Sequence, residues 1–75
     1  MQRKKVYIDL QDPKDYQSNH IKGFINIPYE RLLNNYRSYL NKNDIYYLYC
    51  KSGKLSLRLT VMLSYLGYSV INYKN

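Results

Sequence analysis

Residues 49–56 read Tyr-Cys-Lys-Ser-Gly-Lys-Leu-Ser and contain the only cysteine of the 75-residue chain. The apolar run Ile45-Tyr46-Tyr47-Leu48-Tyr49 reads as a strand that delivers Cys50 to its end. Gly53 marks a short loop, and a helical pattern opens at Ser56. A thiol between a strand end and a helix N-terminus faces unpaired backbone N–H groups and the positive end of the helix dipole. Both features favour a negatively charged sulfur or a bound anion. The competing reading is a small buried apolar residue. Strand end, glycine loop and helix start coincide at Cys50, and that coincidence favours sulfur chemistry.

The elements that position this loop follow from pattern. Val6–Leu10 reads as a buried strand. Asp12-Pro13-Lys14-Asp15 opens a short helix that ends before His20, with Asp12 as N-cap. Phe24–Ile27 is a second strand, closed by Pro28. Leu32, Leu33, Tyr36 and Leu40 recur at helical spacing over Tyr29–Leu40. Asn41–Asp44 is a turn, and Ile45–Tyr49 is expected at the sheet centre. A helix over Ser56–Leu66 places Leu59, Met62, Leu63 and Leu66 on one face, with Ser56 as N-cap and Gly67 at the C-terminal cap. Tyr68–Tyr73 is the last strand. This alternation predicts an α/β fold, a small, mostly parallel sheet flanked by helices. Ligands of such sheets sit beyond the carboxyl ends of the strands, where Cys50 falls.

Composition bounds the function. Seventy-five residues make one small domain, which the lone cysteine cannot staple with an internal disulfide. His20 and Cys50 are single and far apart, so a structural zinc site is not expected. Eleven tyrosines supply core area, many at the core's edge where the hydroxyl finds a partner. The net charge of +7 comes from twelve Lys and Arg against five acids. Apart from Arg3-Lys4-Lys5 these charges are scattered, and no nucleic-acid-binding motif accompanies them, so a solvated basic surface is the reading. Lys51, Lys54 and Arg58 surround the cysteine and could draw anions to it. No apolar run approaches a membrane span, and the basic N-terminus lacks a hydrophobic signal region. A reducing cytoplasmic setting is the expectation.

Several motifs in order make the chain resemble the single-domain rhodaneses, a sulfurtransferase family. Ile8-Asp9-Leu10-Gln11 resembles the family's "[LI]-D-[VL]-R", and Asp15-Tyr16 its "E-[FY]". His20-Ile21-Lys22-Gly23-Phe24-Ile25-Asn26-Ile27-Pro28 resembles "G-H-I-x-G-A-x-N-[IV]-P". Tyr49–Ser56 resembles "[VY]-C-x-x-G-x-R-S", and Leu63…Leu66-Gly67-Tyr68 resembles "L-x-x-x-G-[FY]". The similarity spans about Val6 to Tyr73. It implies a trimmed rhodanese-like domain over residues 1–75, beginning at the family's usual second strand and stopping before its closing glycines. It also implies that Cys50 is the nucleophile, taking a sulfane sulfur from thiosulfate, a persulfide or a polysulfide and passing it to a thiol. Lys51, Ser52, Gly53, Lys54, Leu55 and Ser56 would form the substrate-binding loop, with no metal or organic cofactor.

Three positions depart from that pattern. Leu55 stands where the family usually has the loop arginine, Gln11 replaces the arginine after the first strand, and Asn19 replaces the glycine before His20. Leucine cannot pair with the donor's negative oxygens, and lysine lacks the bidentate fork, so weak activity with thiosulfate is expected. Lys51 and Lys54 are either substrate contacts or ordinary loop charges. Asp9 and His20 read as braces of the strand end and its loop rather than an acid/base pair. The alternative function is a non-catalytic rhodanese-like binding or sulfur-sensing module. Phosphatase or arsenate-reductase chemistry lacks the arginine it needs. Partners expected are a small sulfur-donor anion and a thiol acceptor, without nucleic acid or membrane. A domain this small also predicts weak self-association or a partner protein.

Overall fold

The computed structural model describes residues 2–74. Four strands, β1 (Lys5–Asp9), β2 (Ile25–Asn26), β3 (Ile45–Tyr49) and β4 (Ser69–Asn72), form one sheet in the order β2-β1-β3-β4. Every neighbouring pair is parallel. Helices α1 (Pro13–Ser18), α2 (Tyr29–Tyr39) and α3 (Lys54–Tyr65) make the crossovers. The fold is the expected small parallel α/β sheet flanked by helices, with the apolar β3 in its interior. No helix among the described residues is long and apolar enough to cross a membrane.

Register assigns the two faces. Val6 pairs with Tyr46 and Ile8 with Leu48, and these continue to Val70 and Asn72 on β4. Parallel partners point the same way, so this face presents Val6, Ile8, Leu10, Tyr46, Leu48, Cys50, Val70 and Asn72. It meets Leu32, Leu33, Tyr36 and Leu40 around α2, and Leu59, Met62 and Leu63 from α3, in a single core cluster. The opposite face is aromatic. Tyr7 stacks on Tyr47 at 4.6 Å between ring centroids, and Phe24 lies edge-on to Tyr7, Tyr49 and Tyr73. The right-handed crossover rule places α1 on this side, opposite α2 and α3. Tyr16 of α1 hydrogen-bonds the Phe24 carbonyl there.

Several element ends differ from expectation. β2 is only Ile25–Asn26. β4 is Ser69–Asn72, although the Tyr73 amide extends its ladder to the Leu48 carbonyl at 2.8 Å. Asp12 precedes α1 but makes no side-chain cap bond. α2 is kinked at Asn35, whose side-chain amide donates to the Arg31 carbonyl at 2.9 Å and competes with the helix's own ladder. α3 begins two residues before Ser56, with Gly53 as N-cap. Ser56 is therefore not the cap. Leu66 is 37% exposed rather than buried with Leu59 and Leu63. Gly67 does follow the helix in the left-handed region (φ 98°), and the Tyr68 amide closes back on the Leu63 carbonyl at 3.0 Å.

Candidate active site

The strand order creates the site. From β1 the chain steps outward to β2, then crosses back over β1 to reach β3. The carboxyl ends of β1 and β3 therefore lie side by side while their connections diverge, which opens a crevice between them. Leu10 and Gln11 follow β1 on one side, and Cys50 and Lys51 follow β3 on the other. The Leu10 amide still donates to the Tyr49 carbonyl at 2.8 Å, so the strand ends are held in register up to the crevice.

Cys50 is buried at its floor. The loop after it turns sharply because Gly53 adopts φ 81°, a left-handed conformation that glycine takes without steric penalty. That turn brings the first turn of α3 back over the sulfur. The Ser56 amide donates to Cys50 Sγ at 3.2 Å, and Ser56 Oγ lies 3.3 Å from the same sulfur. Burial pushes the Cys50 thiol up. Hydrogen bonds from the Ser56 side chain and amide, the Gly53 amide and the Ser52 hydroxyl outweigh it and leave the thiol lowered overall. A thiol lowered in this way is a better source of thiolate at neutral pH.

Two clefts reach the cysteine. One, of about 760 Å³, is lined by Tyr49, Lys51, Lys54, Leu57, Asn72 and Lys74, among others. The second, of about 490 Å³, occupies the crevice and is lined by Leu10, Asp12, Asp15, Pro28, Glu30 and Leu55, with Lys51 and Ser52 shared between the two. Lysines thus dominate the first cleft and carboxylates the second.

The loop residues singled out in the sequence all gather here, but their surroundings differ. Lys51, Ser52 and Lys54 are exposed, Gly53 is half-buried, and Leu55 faces the crevice with 36% of its surface exposed. The Ser52 hydroxyl accepts the Lys54 amide at 3.3 Å, so it serves the helix start. Ser56 is fully buried at the third position of α3. Arg58, further along α3, lines neither cleft. Asp9 and His20 are braces, as expected. Buried Asp9 accepts the Gln11 amide at 2.8 Å and Gln11 Nε2 at 2.9 Å. His20 Nδ1–H donates to the Tyr16 carbonyl at 2.7 Å, its ring stacks on Tyr16, and it lines neither cleft.

Residues 1–75 match the family described as the rhodanese-like domain. The chain belongs to the rhodanese-like domain family. Thiosulfate sulfurtransferase PspE of Escherichia coli (strain K12) is 34% identical over 64 residues, which cover 84% of this chain. The chain spans 62% of that relative's length. A solved structure of a rhodanese with anions from E. coli has a TM-score of 0.76 and 34% identity, covering 91% of this chain and 82% of that one. A Staphylococcus saprophyticus protein has a TM-score of 0.82 at 26% identity, covering 93% of this chain and 69% of its own.

Against the rhodanese pattern, the two missing arginines have different structural meanings. Gln11 takes over a bracing role, holding Asp9 and donating to the Asn19 carbonyl at 3.3 Å. The Leu55 side chain supplies no donor to the crevice. Asn26, matched to the motif in the sequence but given no role there, ties the Asp9 and Gln11 carbonyls together through its side-chain amide at 3.0 and 2.9 Å. The sequence does not single out Asn72, which accepts a hydrogen bond from Ser56 Oγ at 2.6 Å. The available signal was alternation: Val70 and Asn72 share the inward phase of β4, and an amide at an inward position calls for a partner.

Proposed function

We propose that this protein is a sulfurtransferase that carries sulfane sulfur as a persulfide on Cys50. The Cys50 thiolate attacks the outer sulfur of the donor and forms a new S–S bond. With thiosulfate, sulfite leaves with the electron pair of the broken S–S bond; with a persulfide or polysulfide, a thiolate or shorter polysulfide leaves instead. A thiolate acceptor then attacks the terminal sulfur, and Cys50 departs as thiolate, ready for another cycle. The observation that carries this reading is the Ser56 amide at 3.2 Å from the buried sulfur of the only cysteine, which two clefts reach. Membership of the family and likeness to a thiosulfate sulfurtransferase and to a rhodanese solved with anions support it.

Lys51, Lys54 and Lys74 make the first cleft the approach for an anionic donor, with Ser52, Gly53 and Ser56 shaping the sulfur's cradle. Leu55 restricts thiosulfate, whose leaving sulfite needs a charge partner that leucine does not offer. Persulfides and polysulfides, with less oxyanion charge, are the better donors. The same departure favours a second reading, a rhodanese-like sulfur-sensing module that takes up sulfur and turns over poorly. A reducing cytoplasmic compartment keeps the thiol free in either case. Exposed Leu57, Val61 and Tyr65, spaced four apart along α3, support weak association with another copy or a partner protein.

Mass spectrometry after incubation with thiosulfate, polysulfide or glutathione persulfide tests the reading. One added sulfur atom on the Cys50 peptide, removed by a thiol and absent from Cys50→Ser, is the expected result. An unmodified Cys50 with all three donors overturns it. Loading followed by release of thiocyanate or sulfide over many cycles identifies an enzyme, whereas loading without turnover identifies the sensing module.

A further inference from the structure

The Ser56 hydroxyl has one proton and three acceptors within reach. Asn72 Oδ1 is nearest at 2.6 Å, the Gly53 carbonyl lies at 3.2 Å, and Cys50 Sγ lies at 3.3 Å. Ser56 is fully buried, so water cannot supply a substitute donor or acceptor. β4 places Asn72 on the inward face, in register with Leu48 and one strand away from Cys50. We propose that Asn72 is a positioning residue that competes with the Cys50 sulfur for the Ser56 proton and so governs how readily the thiol ionises.

In the neutral thiol, the chain of donors runs in one direction: Sγ–H to Ser56 Oγ, and Oγ–H to Asn72 Oδ1. Every proton then has an acceptor. An ionised sulfur reverses the demand, because Sγ has become a pure acceptor. The Ser56 hydroxyl must then leave its shortest partner to stabilise the thiolate, while the Ser56 amide stays in place at 3.2 Å. Asn72 thus holds back part of the thiolate's stabilisation. Once a second sulfur is attached, the negative charge moves outward to the terminal atom. The inner sulfur no longer needs the hydroxyl, and Ser56 can return to Asn72. The Asn72 side chain therefore disfavours the free thiolate relative to both the thiol and the loaded persulfide.

Other charges act on the sulfur too. Lys51 and Lys54 come from the loop and the start of α3, Lys74 from beyond β4, Asp12 and Asp15 from the turn and helix after β1, and Glu30 from α2. The phenols of Tyr49 and Tyr73 line the first cleft, and Asp9 on the neighbouring strand is already held by Gln11. None of these lies in the Asn72–Ser56–Cys50 chain. Their influence persists when Ser56 is removed, and that separates them from Asn72.

The inference deepens the reading of Cys50 as a nucleophile. Its test reads the thiol directly, by the pH dependence of iodoacetamide alkylation of the single cysteine, and is independent of whether any donor loads sulfur. Asn72→Leu frees the hydroxyl and is expected to lower the Cys50 midpoint by about half a unit, roughly threefold in the thiolate-to-thiol ratio. In a Ser56→Ala background the same change is expected to have no effect. Asn72→Asp keeps the size and shape of the side chain, so it carries the comparison if Asn72→Leu fails to fold. It is expected to raise the midpoint, and by more with Ser56 present than in the Ser56→Ala background, which has no hydroxyl to hold. Circular dichroism and a thermal melt establish that each variant is folded. A folded Asn72→Leu protein with an unchanged or raised midpoint overturns the proposal. So does a shift of either variant that is equal in both backgrounds.

Discussion

At Cys50 the balance of forces has a sign that can be measured. Burial alone would raise the thiol, yet the Ser56, Gly53 and Ser52 hydrogen bonds bring it below its ordinary value. The rate of alkylation should therefore climb with pH and level off earlier than for a cysteine in an unfolded control of the same sequence. A Ser56→Ala protein should level off later, because a donor to the thiolate is lost. Coincident profiles for native and unfolded chains would contradict this account. Leu55 gives a second residue-scale expectation. Leu55→Arg should raise thiosulfate turnover about tenfold or more, since a charge-assisted hydrogen bond contributes about 1.5–3 kcal/mol. Its effect on polysulfide turnover should be much smaller, and steady-state rates with both donors check the contrast. Cys50 and Gly53 were legible in the sequence because strand end, glycine loop and helix start coincide there, and the loop lysines were legible as neighbours of the cysteine. Asn72 was not, because its meaning comes from a strand register and from a serine sixteen positions earlier.

Among the elements, the turn that swings α3 over the sulfur depends on Gly53. A Cβ there would meet nothing within 4 Å, so any penalty for a side chain comes from its φ of 81° rather than from crowding. Gly53→Ala should cost about 1–2 kcal/mol in chemical denaturation. Gly53→Asn should cost less, because asparagine tolerates the left-handed region. A reversed order would mean that contacts, not torsion, hold the turn. The same residue explains a boundary that pattern reading misplaced. Ser56 has the chemistry of an N-cap, but the left-handed glycine and the Ser52 hydroxyl already start the helix, leaving Ser56 free to face Cys50. The Asn35 kink was equally hidden, since the apolar spacing of Leu32, Tyr36 and Leu40 continues through it. The order of strands and helices was legible throughout, because each crossover carries its own period and its own turn residues.

For the whole molecule, one sheet face is covered by α2 and α3, and the other by aromatic side chains and by α1, whose Tyr16 hydrogen-bonds the Phe24 carbonyl. The outward stripe of α3 remains open, with Val61 63% and Tyr65 89% exposed. Sedimentation should show weak, concentration-dependent association that a Val61→Lys, Tyr65→Lys pair abolishes without lowering the melting temperature. A monomer at every concentration would refute self-association through this stripe. The sheet order also has a consequence for synthesis. Lys5 pairs with Ile45, forty positions later, and the rest of β1 follows in step. At about 5–20 residues per second, β1 waits roughly 2–8 s for β3 to be made. During that interval the apolar edge of Val6-Tyr7-Ile8 that faces β3 has no partner, and on the other side β2 reaches only Ile8 of the three. Arg3-Lys4-Lys5 stands immediately before it, three like charges that discourage two waiting strands from meeting each other. Arg3-Lys4-Lys5, the one run in an otherwise scattered basic charge, thus guards the chain before there is a fold to protect it.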